Sequence, residues 1–187
     1  MYILAVESRD AAAKAHQLRR AGVVPCVISG GLLPEAISVQ ITKMASEKLF
    51  KSNRQGSRIQ IKLNDQVIPV QIKEKAWNSL GTEITHICFQ ALKADQKVNS
   101  VVHIILQNPE KVLGSLEKML LEIPYAAFPE DMIDTIAIDL EGLPMRTVVT
   151  VGDLAEFKTG KLELLVDTDS IIFRTNEKKG ALPVAVK

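Results

Sequence analysis

The chain has 187 residues, and its 47% hydrophobic and 24% charged content is typical of a folded globular protein rather than a disordered one. Residues 1–93 contain 13 Lys and Arg against 7 Asp and Glu, a net charge of +6, whereas residues 94–187 contain 10 against 15, a net charge of −5. The total of +1 therefore conceals a division that favours a polyanionic partner for the first half. A chance distribution of surface charge is the alternative.

The two cysteines, Cys26 and Cys88, are far apart and form no CxxC motif. They are too few for a disulfide framework and too sparse for a zinc site, so we expect both to be reduced, buried residues of a cytoplasmic protein. Residues 1–7 lack the basic start of a signal peptide, and no apolar run approaches the roughly 20 residues that cross a bilayer. We therefore expect no membrane association.

The first half of the chain is predicted to be a β-sheet or small barrel with one or two helices. Asp10 is expected to cap a helix over residues 11–20, which Gly22 ends, and Thr42 to cap a second short helix that reaches Phe50. Pro25 favours the start or the edge of a strand because it has no amide donor. Apolar runs and alternating patterns predict strands at 2–6, 23–28, 36–41, 58–63, 67–72 and 83–92.

The second half is predicted to be a small all-β domain. Its strands are expected at 98–106, 116–123, 133–140, 147–151, 161–166 and 170–174. The charge balance changes sign at the polar residues 94–97, where we place the domain boundary. The predicted organisation is a basic domain over 1–93, an acidic domain over 94–176 and a flexible tail over 177–187. The fold class is therefore mainly β with a few short helices.

The sequence contains no known catalytic motif: it has no GxSxG, HExxH, P-loop or Rossmann glycine pattern. His86 and Cys88 alternate onto one face of a predicted strand, but such neighbours stand about 7 Å apart, which is too far for a direct hydrogen bond. The carboxylates of residues 129–131 lack the spacing of a calcium loop. We therefore expect no catalytic residue, metal, cofactor or small-molecule substrate, and a binding or structural role instead.

Basic side chains crowd around the first predicted helix. His16 and Arg20 are four residues apart and share one face of that helix. Arginine makes planar, two-pronged contacts with phosphate, so the cluster is a candidate RNA-binding surface, with a solvated helix face as the alternative. The members of the cluster are Arg9, Lys14, His16, Arg19 and Arg20.

Five stretches of the chain resemble a known family. Residues 15–31 (AHQLRRAGVVPCVISGG) resemble the motif that opens the RNA-binding domain of the bacterial ribosomal protein L-twenty-five family, and residues 83–89 (EITHICF) are similar to a later strand of that domain. LEKMLLEIP at 116–124, FPEDMI at 128–133 and VGDL at 151–154 are similar to the C-terminal β-domain of the family's two-domain form, the general stress protein Ctc. The resemblance spans residue 2 to about residue 174 in the same order.

The resemblance implies a six-stranded, barrel-like first domain that grips a helical, loop-E-type region of 5S rRNA. It also implies a structural role in the large ribosomal subunit, without catalysis or a cofactor, and indicates no partner for the acidic domain. A basic helix beside strands suits the wide minor groove of A-form RNA, where shape, phosphate and 2′-hydroxyl contacts dominate. The residues that match the family's basic and histidine positions are Arg9, Arg19, Arg20 and His86, with Lys14 in the segment before the helix.

Four departures from the family's pattern affect this surface. They are Ser29 in place of Tyr, His16 in place of Arg, Ala76-Trp77 after Lys75 in place of Gln-Arg, and Cys88 in place of Asp. Trp77, expected in a loop after a strand, either stacks on a base or plugs the core or the space between domains. The departures leave an alternative function: a diverged, stress-associated member that binds proteins and has no specific affinity for 5S rRNA. The candidate RNA-contacting residues are Arg9, Lys14, His16, Arg19, Arg20, Ser29, Lys75, Trp77 and His86.

Overall fold

A computed structural model describes residues 2–10, 12–31, 33–112, 114–144 and 146–176, which form two compact units. Within the described ranges, the first unit comprises residues 2–101 and 126–134, and the second comprises residues 102–125 and 135–176. The tail over 177–187, which was predicted to be flexible, lies outside the described residues. The domain boundary at 94 stays a prediction.

Six strands of the first unit form a closed barrel in the order β1-β3-β2-β6-β5-β4. Two neighbouring pairs, β1 with β4 and β2 with β6, are parallel, and the other pairs are antiparallel. The predicted six-stranded barrel is therefore confirmed, and its closure leaves no unpaired sheet edge. The strands are β1 (Ile3–Ser8), β2 (Val23–Ser29), β3 (Ile37–Thr42), β4 (Arg58–Leu63), β5 (Gln66–Trp77) and β6 (Ile84–Ala91).

Alternate residues of these strands point into the barrel and form its core, because successive side chains of a strand face opposite sides. In β6, Ile87 and Phe89 are fully buried, whereas His86, Cys88 and Gln90 are only half-buried on the outer face. The rest of the core is aliphatic apart from the Cys26 thiol, as the low aromatic content requires: Leu4, Val6, Val24, Cys26, Ile28, Val39, Ile41, Leu49, Ile59, Ile61, Val70, Ile72 and Ala91.

The first helix, α1 (Ala15–Arg20), is shorter than predicted, and Asp10 does not cap it. Instead, the Asp10 carboxylate accepts a hydrogen bond from the Ala12 amide at 2.9 Å, and its carbonyl accepts one from Ala13 at 3.1 Å. These bonds close a tight turn on Asp10 itself, so the helix begins only after Lys14, whose backbone is extended.

The second helix, α2 (Lys43–Ser52), follows the prediction. The Thr42 hydroxyl accepts a hydrogen bond from the Ala45 amide at 3.2 Å, which is an N-cap. Pro25 lies inside β2, where it pairs with β3, and not at a barrel edge. Its missing donor is tolerated because the ladder with β6 begins only at Cys26.

The second unit is built on two open sheets, with strand orders β10-β7-β9-β12 and β11-β13-β8. The predicted single strand over 116–123 is wrong, because the chain changes sheets at Met119–Leu121. There the amides of Met119 and Leu120 both donate to the Ile172 carbonyl, and the Leu121 carbonyl accepts from Ile104. The elements are β7 (Val98–Gln107), β8 (Ser115–Lys118), β9 (Glu122–Ala127), β10 (Thr135–Asp139), β11 (Val148–Thr150), α3 (Ala155–Lys158), β12 (Glu163–Leu164) and β13 (Ile171–Asn176). The fold class predicted from sequence, mainly β with a few short helices, is confirmed.

Candidate nucleic-acid interface

Helix α1 packs on β2 and presents its basic side chains to solvent. His16, Arg19 and Arg20 are exposed, while Leu18 is half-buried against the barrel. Arg19 is held in place because its Nε donates to the Thr85 carbonyl of β6 at 2.9 Å. This bond joins the helix to the outer face of β6.

The cations of α1 are not neutralised by carboxylates. Across the described ranges, no Asp or Glu oxygen lies within 4.0 Å of a side-chain nitrogen of Lys14, Arg19 or Arg20. Their charge is therefore available to an external anion. We call Lys14, His16, Arg19, Arg20 and His86 the α1 face.

Arg9 has a different situation from the cations of α1. It is half-buried, its Nη2 donates to the Ala13 carbonyl at 2.9 Å, and its Nε is buried without a hydrogen-bond partner. Arg9 therefore braces the turn that leads into α1, and it is less accessible to phosphate than Arg19 or Arg20.

His86 and Cys88 lie on the outer face of β6, next to Glu74 of β5. The His86 Nδ1 and the Cys88 Sγ are 3.5 Å apart, so the prediction that they are too distant to interact is wrong. The 7 Å spacing applies to the strand positions, whereas the imidazole reaches along the strand to the thiol. A β-bulge between Ile72 and Glu74 sets the Glu74 position opposite Cys88. A carboxylate is therefore present beside the position where the resembled family has Asp.

The ionisation of this cluster does not favour a thiolate nucleophile. Burial, and next the Glu74 carboxylate, raise the pKa of the Cys88 thiol. Burial, and next the Arg19 guanidinium, lower the pKa of His86 below its ordinary value of 6.5, although Glu74 opposes the shift. Neutral imidazole and protonated thiol are the forms at neutral pH, and a cysteine nucleophile requires the reverse.

Both cysteines were predicted to be reduced and buried. The whole prediction is correct for Cys26, but only the reduced state is correct for Cys88. Both are free thiols, and burial raises the pKa of Cys26 to about 12. Cys88 is reduced but half-buried, because strand alternation places it on the outer face of the barrel.

Ser29 ends β2 at some distance from the α1 face. It is exposed and lies in register with Gln90 of β6, whose side chain accepts a hydrogen bond from Gln71 at 2.9 Å. Gln90 is four residues beyond His86, which corresponds to about 13 Å along a strand. The structure therefore separates Ser29 from His86, although both are on the outer surface.

A groove with a volume of about 330 Å³ lies between α2 and the β5–β6 turn, and Trp77 is one of the residues that line it. The Lys75 Nζ is 4.8 Å from the centroid of the Phe50 ring and 5.4 Å from that of Trp77. Trp77 is the last residue of β5 and not a loop residue, because β5 extends five residues beyond the predicted strand end at 72. Its exposed fraction of 46% also excludes a place in the core.

Several residues that shape these surfaces were missed from sequence. Thr85 acts through its backbone carbonyl, which no side-chain motif reveals. Glu74 reaches Cys88 through a bulge, and Lys43 pairs with Glu83 across 40 residues of sequence. Phe50 was recognised only as a helix residue. The contact of Lys75 with the rings of Phe50 and Trp77 could not be predicted without the barrel topology.

In the part of the chain that the structure describes, no group of three or more His, Cys, Asp or Glu side chains is arranged to hold a metal ion. Within the same ranges, every helix is too short or too polar to span a bilayer.

Comparisons with known proteins agree on one family. The family model described as the Ribosomal L25p family matches residues 4–89, and the model described as the C-terminal domain of ribosomal protein TL5 matches residues 97–179. A protein named large ribosomal subunit protein bL25 from Chloroherpeton thalassium is 30% identical over 158 residues, which cover 82% of this chain and 78% of the relative.

Two further relatives carry the same name. The one from Syntrophomonas wolfei is 27% identical over 84% of this chain and 76% of its own length. The one from Gloeothece citriformis is 26% identical over 94% of this chain and 91% of its own length. The relatives are named as ribosomal proteins, and membership of this family confirms the prediction that the chain is not an enzyme. The resemblance noted in the sequence is also confirmed: the chain belongs to the ribosomal L25p family, in a two-domain form with a TL5-type C-terminal domain.

Proposed function

We propose that this protein is a structural constituent of the large ribosomal subunit and that it binds 5S rRNA through the α1 face. The observation that carries the proposal is the state of Arg19, which is ordered by the Thr85 carbonyl and has no carboxylate within 4.0 Å in the described ranges. The relatives are named as proteins of the large ribosomal subunit. This role would place the protein in the cytoplasm with the ribosomes.

The anchoring of Arg19 prepares it for phosphate. Its Nε is occupied by a neutral carbonyl, so the side chain is held without loss of its charge, and its two Nη groups have no acceptor among the described residues. Two parallel N–H donors match two phosphate oxygens. Because part of the rotamer entropy of Arg19 is already lost on folding, less is lost on binding.

The strand beside α1 supplies groups suited to 2′-hydroxyls. Neutral His86 has one ring nitrogen at the Cys88 thiol and the other for an external partner, which it can meet as donor or acceptor. A-form RNA presents 2′-hydroxyls and phosphates across its wide minor groove. A basic helix beside a polar strand therefore fits that groove better than it fits the deep major groove.

The test is a titration of the full chain with 5S rRNA at two salt concentrations. We expect selective binding that weakens with salt, since each neutralised phosphate contributes roughly 0.7–0.9 to the slope of log affinity against log salt. The Arg19→Ala, Arg20→Ala double variant should bind about 10- to 100-fold more weakly at low salt and show a shallower slope.

The matched control is Arg174→Ala, which removes an equally exposed arginine from the second unit. It should leave the affinity within about twofold. Equal and feeble binding to any RNA, or equal losses in the control and the double variant, would overturn specific recognition by the α1 face. Such a result would favour the stress-associated, protein-binding alternative.

A further inference from the structure

The groove beside α2 is distinct from the α1 face and is not used by the proposed contact with helical RNA. Its walls are α2 on one side and the ends of β5 and β6 on the other. Its volume of about 330 Å³ is at the lower end of the range of small-ligand clefts. The residues that line it include Lys43, Phe50, Lys51, Trp77, Glu83 and Ile84.

Both walls of the groove are preformed. Asn78 fixes the turn between β5 and β6. Its side-chain Oδ1 accepts from the backbone amides of Thr82 at 2.8 Å and Glu83 at 3.3 Å, and its backbone amide donates to the Glu83 carbonyl. The opposite wall is fixed by the N-cap of α2. An ion pair between Lys43 and Glu83 joins the two walls. A ligand therefore meets an ordered cleft.

The floor of the groove is aromatic and partly uncovered. Trp77 exposes 46% of its surface, and Phe50 is half-buried next to it. The Lys75 ammonium lies over both rings. Exposed indole surface beside a cation is a combination that binds nucleobases in single-stranded RNA, since every base has a π-face.

Four charged side chains line the groove: the cations Lys43 and Lys51 and the carboxylates Glu47 and Glu83. At one end Lys43 is compensated by Glu83, and this hydrogen bond raises the pKa of Lys43. At the aromatic end, Lys51 and Lys75 have no carboxylate within 4.0 Å among the residues that the structure describes. A planar apolar group attached to an anion therefore complements the aromatic end in both shape and charge.

We propose that this groove binds one unpaired nucleotide of an RNA, with the base against Trp77 and the phosphate at Lys51 and Lys75. The proposal rests on the proposed function, since it adds a second contact to an RNA-binding protein. It concerns a different element of RNA: a base that has left its helix, and not the helical groove that meets the α1 face. Helical RNA and an extruded base then lie on one barrel.

The test uses Trp77 as its own reporter, because it is the only tryptophan of the chain. We expect a short single-stranded oligoadenylate to quench the tryptophan fluorescence of the full chain to saturation, and a blunt RNA duplex to quench it far less. By anisotropy of the labelled oligonucleotide, Trp77→Ala should weaken binding about 5- to 150-fold, the range of one base stack, and Trp77→Phe less.

Two lysine variants test the position of the phosphate. Lys51→Ala should weaken oligoadenylate binding and make its salt dependence shallower by roughly 0.7, the value for one phosphate of a single strand. Lys62→Ala, which removes an exposed lysine from β4, should change neither. Circular dichroism and the unfolding midpoint identify any variant that misfolds. If Trp77→Ala misfolds, the Trp77→Phe variant is compared with the parent chain instead.

The outcomes separate the groove from the α1 face. The Arg19→Ala, Arg20→Ala double variant should keep the fluorescence response to oligoadenylate, so loss of 5S rRNA binding alone would contradict only the proposed function. Absence of quenching, equal quenching by the duplex, equal quenching by polyglutamate, or unchanged affinity in Trp77→Ala would each overturn the nucleotide site. None of these results would affect the test of the α1 face.

Discussion

Arg19 in the first unit and Arg174 in the second are both exposed, and both use Nε in a hydrogen bond. Arg174 donates to the Glu117 carboxylate at 2.6 Å, whereas Arg19 donates to the Thr85 backbone carbonyl at 2.9 Å. The first bond orders the side chain and neutralises it, while the second orders it and leaves its charge. The partner of a cation, more than the number of cations, therefore distinguishes a surface prepared for a polyanion from an ordinary one.

The two units also differ in how their sheets end. The barrel of the first unit is closed, and its strands need no edge protection. The sheets of the second unit are open, with β10 and β12 at the edges of one and β11 and β8 at the edges of the other. Closure makes the first unit dependent on tight turns, and one of these is the turn after β2, where Gly31 lies against Ala91.

The largest expected effect sharpens this difference in closure. Gly31 has a φ of +64°, and a Cβ at that position would lie 2.4 Å from the Ala91 carbonyl oxygen. Gly31→Ala should therefore lower the free energy of unfolding by about 2–5 kcal/mol, from the left-handed backbone and the overlap together. Urea unfolding measures this effect.

Gly30→Ala is the matched control for that variant. Gly30 has a similar φ of +77°, but its Cβ would meet only the Gln90 side chain, at an ordinary 3.5 Å from Cγ and 3.9 Å from Nε2. It should cost only the backbone contribution of about 1–2 kcal/mol. Equal losses in the two variants would mean that the approach to Ala91 does not constrain the barrel.

The next smaller effect concerns acid: the two units should lose stability in different pH ranges. In the folded chain, burial and then Arg19 lower the pKa of His86 below its ordinary 6.5. As the pH falls below about 6.5, the unfolded chain therefore binds more protons than the folded chain. The free energy of unfolding then decreases between about pH 6.5 and the lower pKa of His86 in the folded chain. His86→Gln should remove this part of the loss between pH 7 and pH 5, as measured by unfolding midpoints across pH.

The second unit should lose stability only at lower pH. Hydrogen bonds from Arg174, Glu141 and Thr150 lower the pKa values of Glu117, Asp139 and Asp153 respectively. Their contribution is complete above the ordinary values of 4.5 for Glu and 3.8 for Asp, and it is lost as the pH falls through the lower folded values. If the His86→Gln variant lost as much stability near pH 6 as the parent chain, the two units would not differ in their response to acid in this way.

The smallest expected effect comes from removing the difference between the two arginines, namely the carboxylate partner of Arg174. Glu117→Gln removes the negative charge beside Arg174 but keeps the shape of its partner. Since both side chains are about half exposed, the unfolding midpoint should not change beyond repeat error. The affinity for 5S rRNA should also stay within about twofold, because one cation released elsewhere adds no aligned contact. A clear gain in affinity would show that unpaired charge alone is sufficient.

Local patterns predicted the elements of the α1 face well. The alternation of β6 put His86 and Cys88 on one face and Ile87 and Phe89 on the other, as observed, although the expectation that Cys88 is buried did not hold because its face is the outer one. The end of α1 at Gly22 also followed, because glycine adopts the φ of +75° found there. The start of α1 did not follow, because a turn at Asp10 competes with helix capping for the same carboxylate.

The groove beside α2 could not be predicted from sequence. Trp77 stands 27 residues after Phe50, and nothing in either segment indicates that the other is near. The two meet because β5 continues to Trp77 and pairs with β6, which faces α2. The same is true of Glu74 and Cys88, whose register depends on a bulge.

The sequence by itself determined the basic first half, the strand alternation that separates core from surface, and the family. These are local or additive properties, which periodicity, composition and short motifs record directly. Only the tertiary structure decided that Arg19 rests on a neutral carbonyl while Arg174 rests on a carboxylate. Those partners are 66 and 57 residues away in the chain, and a pairing at that distance is set by which strands become neighbours.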